Sequence, residues 1–409
     1  MVRSFLFRLM HIQGRFQVFL GILLLPLCFL SCTGCENPVT GNKNETHFSL
    51  ATWNLQAFFD GQETGTEYTD YTVKASWNEV SYKNRLKSLD TALTQWPEPQ
   101  TRGAAKGPDI FALLEVENAA VLESLRSGPF AQFMYHYSAF AANPGAPLGL
   151  GLLSRFPILA VKSHSLQTAD YSTPRPMLEA EIELPQAPGA PQERLHLFVC
   201  HWKSKLGDLE ETELVRRASA QLVNRRIVEL SRQQAGTEPL VLVVGDLNEN
   251  ADEYTRQGTR FVTALMPADT SVVMRDCPDT NHEINSKASI NFFSYDAFRA
   301  CSFINLTGSS SDVSIPDTGP ITLYCPWYTS VWNGSYAYRG NWETIDHILL
   351  SPGFFNGSGW EYTAFSVIDH TPFSNEAGFP NSFNPRTGSG VSDHLPIMAE
   401  FHRIEAQKE

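Results

Sequence analysis

Five consecutive aliphatic residues, Leu240-Val241-Leu242-Val243-Val244, run into Gly245-Asp246-Leu247-Asn248. A run this β-prone and apolar on both faces reads as a buried central strand. Gly245 permits a sharp change of backbone direction, so Asp246 and Asn248 project at the strand's C-terminal edge, where functional groups collect. A carboxylate and a carboxamide two residues apart can address one spot from a rigid support. Gly, Asp and Asn are equally the residues of an ordinary turn, so the other strand ends must decide between a turn and a site.

The chain has 409 residues, 42% of them hydrophobic and 18% charged, which describes a globular protein with a substantial core rather than a disordered one. Its formal net charge of -13 argues against gripping polyanions over a broad basic face. It leaves open a local site that recruits cations. Three of the seven cysteines (Cys28, Cys32, Cys35) crowd the N-terminus. Cys200, Cys277, Cys301 and Cys325 have no CxxC pairing, which argues against a zinc cluster. One or two disulfides among these later cysteines are open if the chain is exported.

Arg3, Arg8 and Arg15 precede the apolar run Val18 to Leu30, and the small residues Ser31, Cys32, Thr33 and Gly34 follow. The run is too short for a comfortable membrane span of about 20 residues and has the three zones of an export signal. It resembles a bacterial lipoprotein signal, with Phe29-Leu30-Ser31-Cys32 as a lipobox whose first position is Phe where Leu is usual. The expectation is a signal peptide over 1–31, lipidation at Cys32 with Cys35 as the alternative, and a polar tether over 32–46. The protein would then be exported and held at the cell envelope by a lipid anchor. An uncleaved anchor is the other reading.

From residue 47 the pattern predicts a strand at His47–Asn54 and a helix between Asn78 and Trp96, stopped by Pro97 and Pro99. A second buried strand covers Asp109–Leu114 and ends in Glu115-Val116-Glu117-Asn118, with a short helix over Ala119–Arg126. Strands are expected at Phe133–Phe140, Leu148–Ser154, Ile158–His164, Met177–Leu184 and Leu195–Trp202. Thr212–Gln233 is an amphipathic helix leading into the central strand. Between about 255 and 335 regular patterning fades into polar, aromatic and cysteine-bearing sequence, read as a long excursion within one domain of residues 47–407. Strands resume at Thr344–Leu350 and close the chain up to Phe401, after Ser392-Asp393-His394-Leu395-Pro396.

Five strand ends carry residues of one chemical kind: Asn54, Glu115, His201, Asp246 with Asn248, and Asp393 with His394. Asp346 lies inside a sixth strand. Hard oxygen ligands without thiolates favour Mg²⁺, Mn²⁺ or Ca²⁺. Histidines beside such carboxylates can hydrogen-bond a phosphoryl group or protonate a leaving oxygen. The combination suits metal-assisted hydrolysis at phosphorus.

In order and wording these anchors resemble the endonuclease/exonuclease/phosphatase superfamily, the group of DNase I, abasic-site endonucleases, inositol polyphosphate 5-phosphatases and bacterial sphingomyelinases. They are Thr52-Trp53-Asn54, Leu114-Glu115-Val116, Gly151-Leu152-Leu153-Ser154-Arg155, His201, Gly245-Asp246-Leu247-Asn248, Ile345-Asp346-His347 and Ser392-Asp393-His394-Leu395-Pro396. The resemblance implies an α/β fold, a four-layered sandwich of two packed mixed sheets flanked by helices, with its site at one edge. It implies Glu115 as principal metal ligand, with Asn54 and Asp393 completing or supporting the shell around Mg²⁺ (or Mn²⁺ or Ca²⁺). Asp246 would activate or orient the attacking water, and Asn248 would hold the scissile phosphate. His394 would contact that phosphate, with Asp346 fixing its tautomer and charge, and His201 would be the second histidine there. The family often has Gln where this chain has Leu114.

Other residues divide between binding and structure. His347 is expected on the opposite face from Asp346 as a structural residue, and Glu117 is expected to serve the adjacent turn. Lys203 and Lys205 either meet substrate phosphates beside His201 or are solvated. Arg155 and Arg175 either bind phosphates or pack. The motif wording is closest to exported bacterial nucleases, so a phosphodiester in nucleic acid is the expected substrate of a monomeric enzyme. A phospholipid or sphingomyelin phosphodiesterase, or a phosphatase of the same fold, is the alternative; a tether and the aromatics Trp327, Tyr328 and Trp332 favour the lipid substrate, unless those aromatics are packed under the loop. A non-catalytic surface binding module is the third reading.

Overall fold

The computed structural model describes residues 47–99, 105–165, 175–186, 191–234, 237–259, 262–269, 304–317 and 319–404. The export signal, the tether, Cys32, Cys35, Cys277 and Cys301 lie outside the described residues. Cys200 and Cys325 are buried free thiols.

The first half of the chain forms β1 (His47–Phe58), α1 (Glu79–Leu93), β2 (Ile110–Val116), α2 (Ala119–Ser127), β3 (Tyr137–Ala141), β4 (Gly149–Ser154), β5 (Ile158–His164) and β6 (Met177–Glu183). It continues through β7 (Arg194–His201), α3 (Leu209–Gln233), β8 (Leu240–Asp246) and α4 (Glu253–Arg256). The short strands β9 (Leu265–Pro267), β10 (Ile304–Thr307) and β11 (Ile321–Tyr324) follow, then a hairpin of β12 (Tyr336–Tyr338) and β13 (Asn341–Glu343). The chain finishes with β14 (Asp346–Leu350), β15 (Gly359–Val367) and β16 (Ile397–Ile404).

These strands build two large sheets, in the orders β15-β16-β1-β2-β4-β3 and β5-β6-β7-β8-β14-β11-β10-β9. Both are mixed. β1 pairs parallel with β2 and β7 pairs parallel with β8, because a helical crossover (α1, then α3) separates each pair. The helices start where local chemistry caps them. Asn78 accepts from the Val80 and Ser81 N–H groups, Asn118 from Val121, and Asp208 from Glu210 and Glu211. α2 lies against β2, β3 and β4, while α3 is tied to the second sheet by Arg226, which grips Glu179 of β6. The sheets meet through β1, β2, β8 and β14, whose side chains are almost wholly buried. This is the four-layered α/β sandwich.

Two expectations change. The excursion at 255–335 adds three strands, β9, β10 and β11, that extend the second sheet within the same compact unit as the rest. At three to four residues each they are too short for a period of two to register. β15 is an edge strand in a stretch to which the sequence reading assigned no element. It escapes because a bulge between Tyr362 and Ala364 breaks the period of two and most of its residues are only partly buried.

The topology explains where a site can form. The C-terminal ends of β1, β2, β7 and β8 emerge at one edge of the sandwich. The antiparallel strands β14 and β16 begin at that same edge, with Asp346 opposite Asp246 and Ile397 opposite Thr52.

Candidate metal and phosphate centre

At that edge the backbone bends away from regular strand geometry at four points. Gly245 has φ 123°, and a Cβ there would collide with the Cys200 carbonyl oxygen of the neighbouring strand, so only glycine fits. Glu115 (φ 61°) and Asn248 (φ 52°) are left-handed without being glycine, and so are Gln56 and Ala57 in the last turn of β1. Left-handed non-glycine residues concentrate where surrounding structure enforces them for function.

These bends bring the expected side chains together. Asn54 donates its amide N–H groups to Glu115 Oε1 (3.3 Å) and Asp246 Oδ2 (3.1 Å), and its own Oδ1 accepts from the Gln56 N–H at 2.9 Å. The second oxygen of Glu115 accepts from the Ala57 N–H at 2.6 Å. Asp246 Oδ1 accepts from the Asn248 N–H at 3.0 Å, and Asn248 donates its amide to the Trp202 carbonyl at 3.2 Å. His201 Nε2 stands 3.4 Å from Asp246 and 3.7 Å from Glu115. His394 Nε2 approaches Asp246 at 3.9 Å and Asp393 at 4.0 Å. Its Nδ1 meets Asp346 Oδ2 at 2.7 Å, and that same oxygen accepts from Ser335 Oγ at 2.6 Å.

Charge is arranged unevenly across this cluster. Burial, reinforced by the Asp346 and Glu115 carboxylates, pushes the Asp246 carboxyl up to about 7 against the opposing pull of His394. Burial works against charging His394, but Asp346, by charge and hydrogen bond, with Asp393 and Asp246 lifts it to about 10. His394 is therefore an imidazolium over the whole neutral range, donating from Nδ1 to Asp346 and presenting Nε2–H to the cleft. His201 goes the other way. Burial, with the charges of Arg175 and His394, holds it well below the ordinary histidine range, so it stays neutral. Two histidines at one carboxylate are thus pushed in opposite directions, His394 toward the charged form and His201 toward the neutral one.

The donor set suits a hard divalent cation. Glu115, Asp246 and Asp393 supply carboxylate oxygens, and Asp393 keeps 36% of its side chain exposed toward solvent, giving an ion a way in. Asp246, Asp346 and His394 also each place one ligand atom within 4.8 Å of the others. In that trio the Asp346 oxygen is already committed to His394 and Ser335. Asn54 turns its nitrogen, not its oxygen, toward the carboxylates, so in this geometry it supports them by hydrogen bonding.

Several expectations are corrected. Arg155 does not reach the site. It pairs with Asp109 at 2.8 Å and donates to the carbonyls of Phe133 and Lys106. β4 runs antiparallel to β2, so a residue just past the end of β4 lies at the opposite edge from Glu115. Lys203 does border the centre, but its ammonium is turned onto its own loop, donating to the carbonyls of Ser204 (3.2 Å) and Leu206 (3.3 Å). Lys205 is committed to Glu253 and Glu343. Trp327 is buried under the loop, its indole on the Asp346 carbonyl and its ring against Phe365, so it is no membrane-facing aromatic. Two other placements follow the sequence reading: His347 faces away, with Nε2 at 2.8 Å from the Glu249 carbonyl oxygen, and Glu117 accepts from the Asp60 N–H in the adjacent turn.

Sequence reasoning missed Tyr336, whose ring lies on His394 with centroids 4.6 Å apart. It also missed Ser335 and the whole hairpin that carries them. A lone Ser-Tyr pair in an unpatterned stretch carries no signal. Arg175, weighed in the sequence equally with Arg155, is the arginine that adjoins the centre, donating to the Trp202 carbonyl at 3.2 Å.

In fold, at 13% identity, the chain is similar to a humanized D. rerio TDP2 carrying 14 mutations, over 88% of this chain and 100% of that one, with a TM-score of 0.48. It is similar at 14% identity to a Bacteroides thetaiotaomicron mannosyl-6-phosphatase (87% and 99% covered, TM-score 0.45). A third likeness, at 15% identity, is to ANGEL2, a 2',3'-cyclic phosphatase (88% and 96% covered, TM-score 0.44). No curated protein matches the sequence. The profile of the Endonuclease/Exonuclease/phosphatase family matches residues 49–265, more than half of the chain, and the protein therefore belongs to that family.

Proposed function

We propose that this phosphohydrolase-fold protein is a divalent-metal-dependent phosphodiesterase, and that its substrate is nucleic acid. The observation that carries the proposal is the convergence of His201 and the Asp346-bound His394 on Asp246, beside a carboxylate cradle built on Glu115. Glu115 and Asp393 would hold Mg²⁺ or Mn²⁺, with Asn54 fixing the carboxylates. A cation bound there supplies charge neutralisation at the phosphate oxygens. Asp246, poised near neutrality, accepts the proton of the attacking water, and Asn248 orients the phosphate. The His394 imidazolium, locked by Asp346, donates a hydrogen bond to a phosphoryl oxygen as negative charge grows there. Neutral His201 donates from the other side without adding a repelling charge to Asp246's proton transfer. Arg175 is a further candidate for contact with the substrate's backbone phosphates.

We also propose that the protein acts outside the cytoplasm, exported by residues 1–31 and anchored through Cys32. The lipid-phosphodiester reading keeps the anchor as support but loses Trp327, which is packed inside.

The test uses the chain from residue 36 with plasmid DNA, RNA and sphingomyelin, each with Mg²⁺, Mn²⁺, Ca²⁺ or EDTA. Metal-dependent cleavage of nucleic acid, reduced at least ~100-fold in His394→Ala, is the expected outcome. Cleavage of sphingomyelin alone would overturn the substrate assignment. Inertness toward all three and toward bis-p-nitrophenyl phosphate would overturn the enzymatic reading.

A further inference from the structure

Arg85, on α1, is buried to 2% exposure yet forms no ion pair among the described residues. Its guanidinium donates instead to three consecutive backbone carbonyls at the end of β1. Nη1 reaches Ala57 O at 2.7 Å, and Nη2 reaches Leu55 O at 2.7 Å and Gln56 O at 2.6 Å. The rings of Phe58 and Phe383 face it, at 4.3 Å and 4.1 Å from its central carbon. The carbonyls it gathers belong to the segment in which Gln56 and Ala57 are both left-handed, with φ 56° and 53°. Two successive left-handed non-glycine residues are disfavoured and do not persist unless held. Converging carbonyl dipoles in a dry interior add to that cost unless a cation meets them.

What the held segment does is visible one bond further on. Its two N–H groups are those that position the metal cradle: Ala57 N–H on Glu115 Oε2 and Gln56 N–H on Asn54 Oδ1, with Asn54 in turn on Glu115 Oε1 and Asp246. If the segment relaxed to extended backbone, the Ala57 N–H would swing off Glu115.

We propose that Arg85 is a positioning residue for the metal site, acting through the β1 turn to fix both oxygens of Glu115. This rests on the reading of Glu115 as a metal ligand. It assigns a functional role to a buried arginine remote from solvent. A lysine cannot replace it, because a single ammonium nitrogen cannot span three carbonyls as the two arms of a guanidinium do.

The experiment measures Mn²⁺ binding by the loss of the free-ion paramagnetic resonance signal, alongside kcat and KM. In folded Arg85→Lys, Mn²⁺ affinity falls by about 10-fold or more and kcat falls with it, while KM at saturating metal stays within about 2-fold. Ala57→Gly added to that variant removes the strain of the left-handed residue and recovers part of the affinity, which a merely structural role for Arg85 would not produce. A folded Arg85→Lys with affinity and kcat within about 2-fold of the parent overturns the proposal. Should Arg85→Lys fail to fold, Phe383→Leu, which strips one ring from the guanidinium, decides instead. About 3-fold weaker Mn²⁺ binding supports the proposal and unchanged binding overturns it. Glu115→Gln separates the two layers of inference. If it leaves Mn²⁺ binding intact, the ligand reading fails and this inference falls with it. If it abolishes binding while Arg85→Lys does not weaken it, this inference alone is overturned.

Discussion

Between Asp246 and Glu253 the chain passes from one electrostatic regime to another. At the site edge Asp246 sits with Glu115, Asp346 and Asp393 around two histidines, and Asp246 is pushed up to about 7. A few residues later every buried acid has a cation. Arg216 lies between Glu213 and Glu249, both buried, and Lys205 bridges Glu253 at 2.6 Å and Glu343 at 3.4 Å. Burial alone would raise Glu253, but the charge and hydrogen bond of Lys205 hold it below the usual carboxylate range. The same residue types thus do opposite work. Arg216 and Lys205 tie α3, the loop after β8 and the β12–β13 hairpin together, though Glu249, which shares Arg216 with Glu213, is still held well above the usual carboxylate range by burial and the Glu213 charge. The acids at the site edge, by contrast, have no Arg or Lys partner among the described residues and remain free to take a cation or a proton.

Breaking the paired region has the largest expected effect. Arg216→Met leaves Glu213 and Glu249 facing each other in a dry interior, and a buried pair stripped of one partner loses about 3–5 kcal/mol. Urea unfolding measures this, and a loss under about 1 kcal/mol would show that the network is not what holds this region.

A smaller and different effect is expected in the unpaired region. Asp346→Asn removes the charge that raises His394. With the protonated imidazole as the active form, as proposed, activity is present below its pKa and lost as pH rises through it. The alkaline limb of kcat/KM then moves from near 10 toward the ordinary histidine range, and the rate at neutral pH falls roughly 10- to 100-fold. Melting temperature should fall as well, since His394 loses its buried carboxylate partner even though Ser335 can still bond the new side chain. An unmoved alkaline limb would break the assignment of charge to His394.

The mildest is Arg155→Gln, which opens the Asp109 pair at the opposite edge. About 1–2 kcal/mol of stability is lost, with kcat and KM within about 2-fold. A large rise in KM would return Arg155 to the substrate.

Glu115, His201 and Asp246 were legible because each lies at the end of a strand whose apolar run announces itself. Leu240–Val244 points to Asp246, Asp109–Leu114 to Glu115, and Leu195–Cys200 to His201. Periodicity reports that a strand ends, not at which edge it ends. Arg155 follows β4 as plainly as Glu115 closes β2, and only the antiparallel pairing of those strands sends it to the far side. Arg175 has no strand end to mark it and adjoins the centre all the same. The three short strands of 255–335 and the edge strand β15 share another cause: brevity or half-exposure leaves too little apolar pattern to read.

The sequence by itself determined the family, the sandwich of buried strands and the list of acids and histidines. These depend on local order, which folding does not change. The tertiary structure alone decided which charges are paired, which histidine its surroundings favour in charged form, that Asn54 turns its nitrogen toward the acids, that Tyr336 stacks on His394 and that Arg85 binds the carbonyls at the end of β1. Those properties depend on distance and desolvation between residues far apart in the chain, such as Asn54 and Asp246 or Tyr336 and His394, and Coulomb and hydrogen-bond energies follow separation in space.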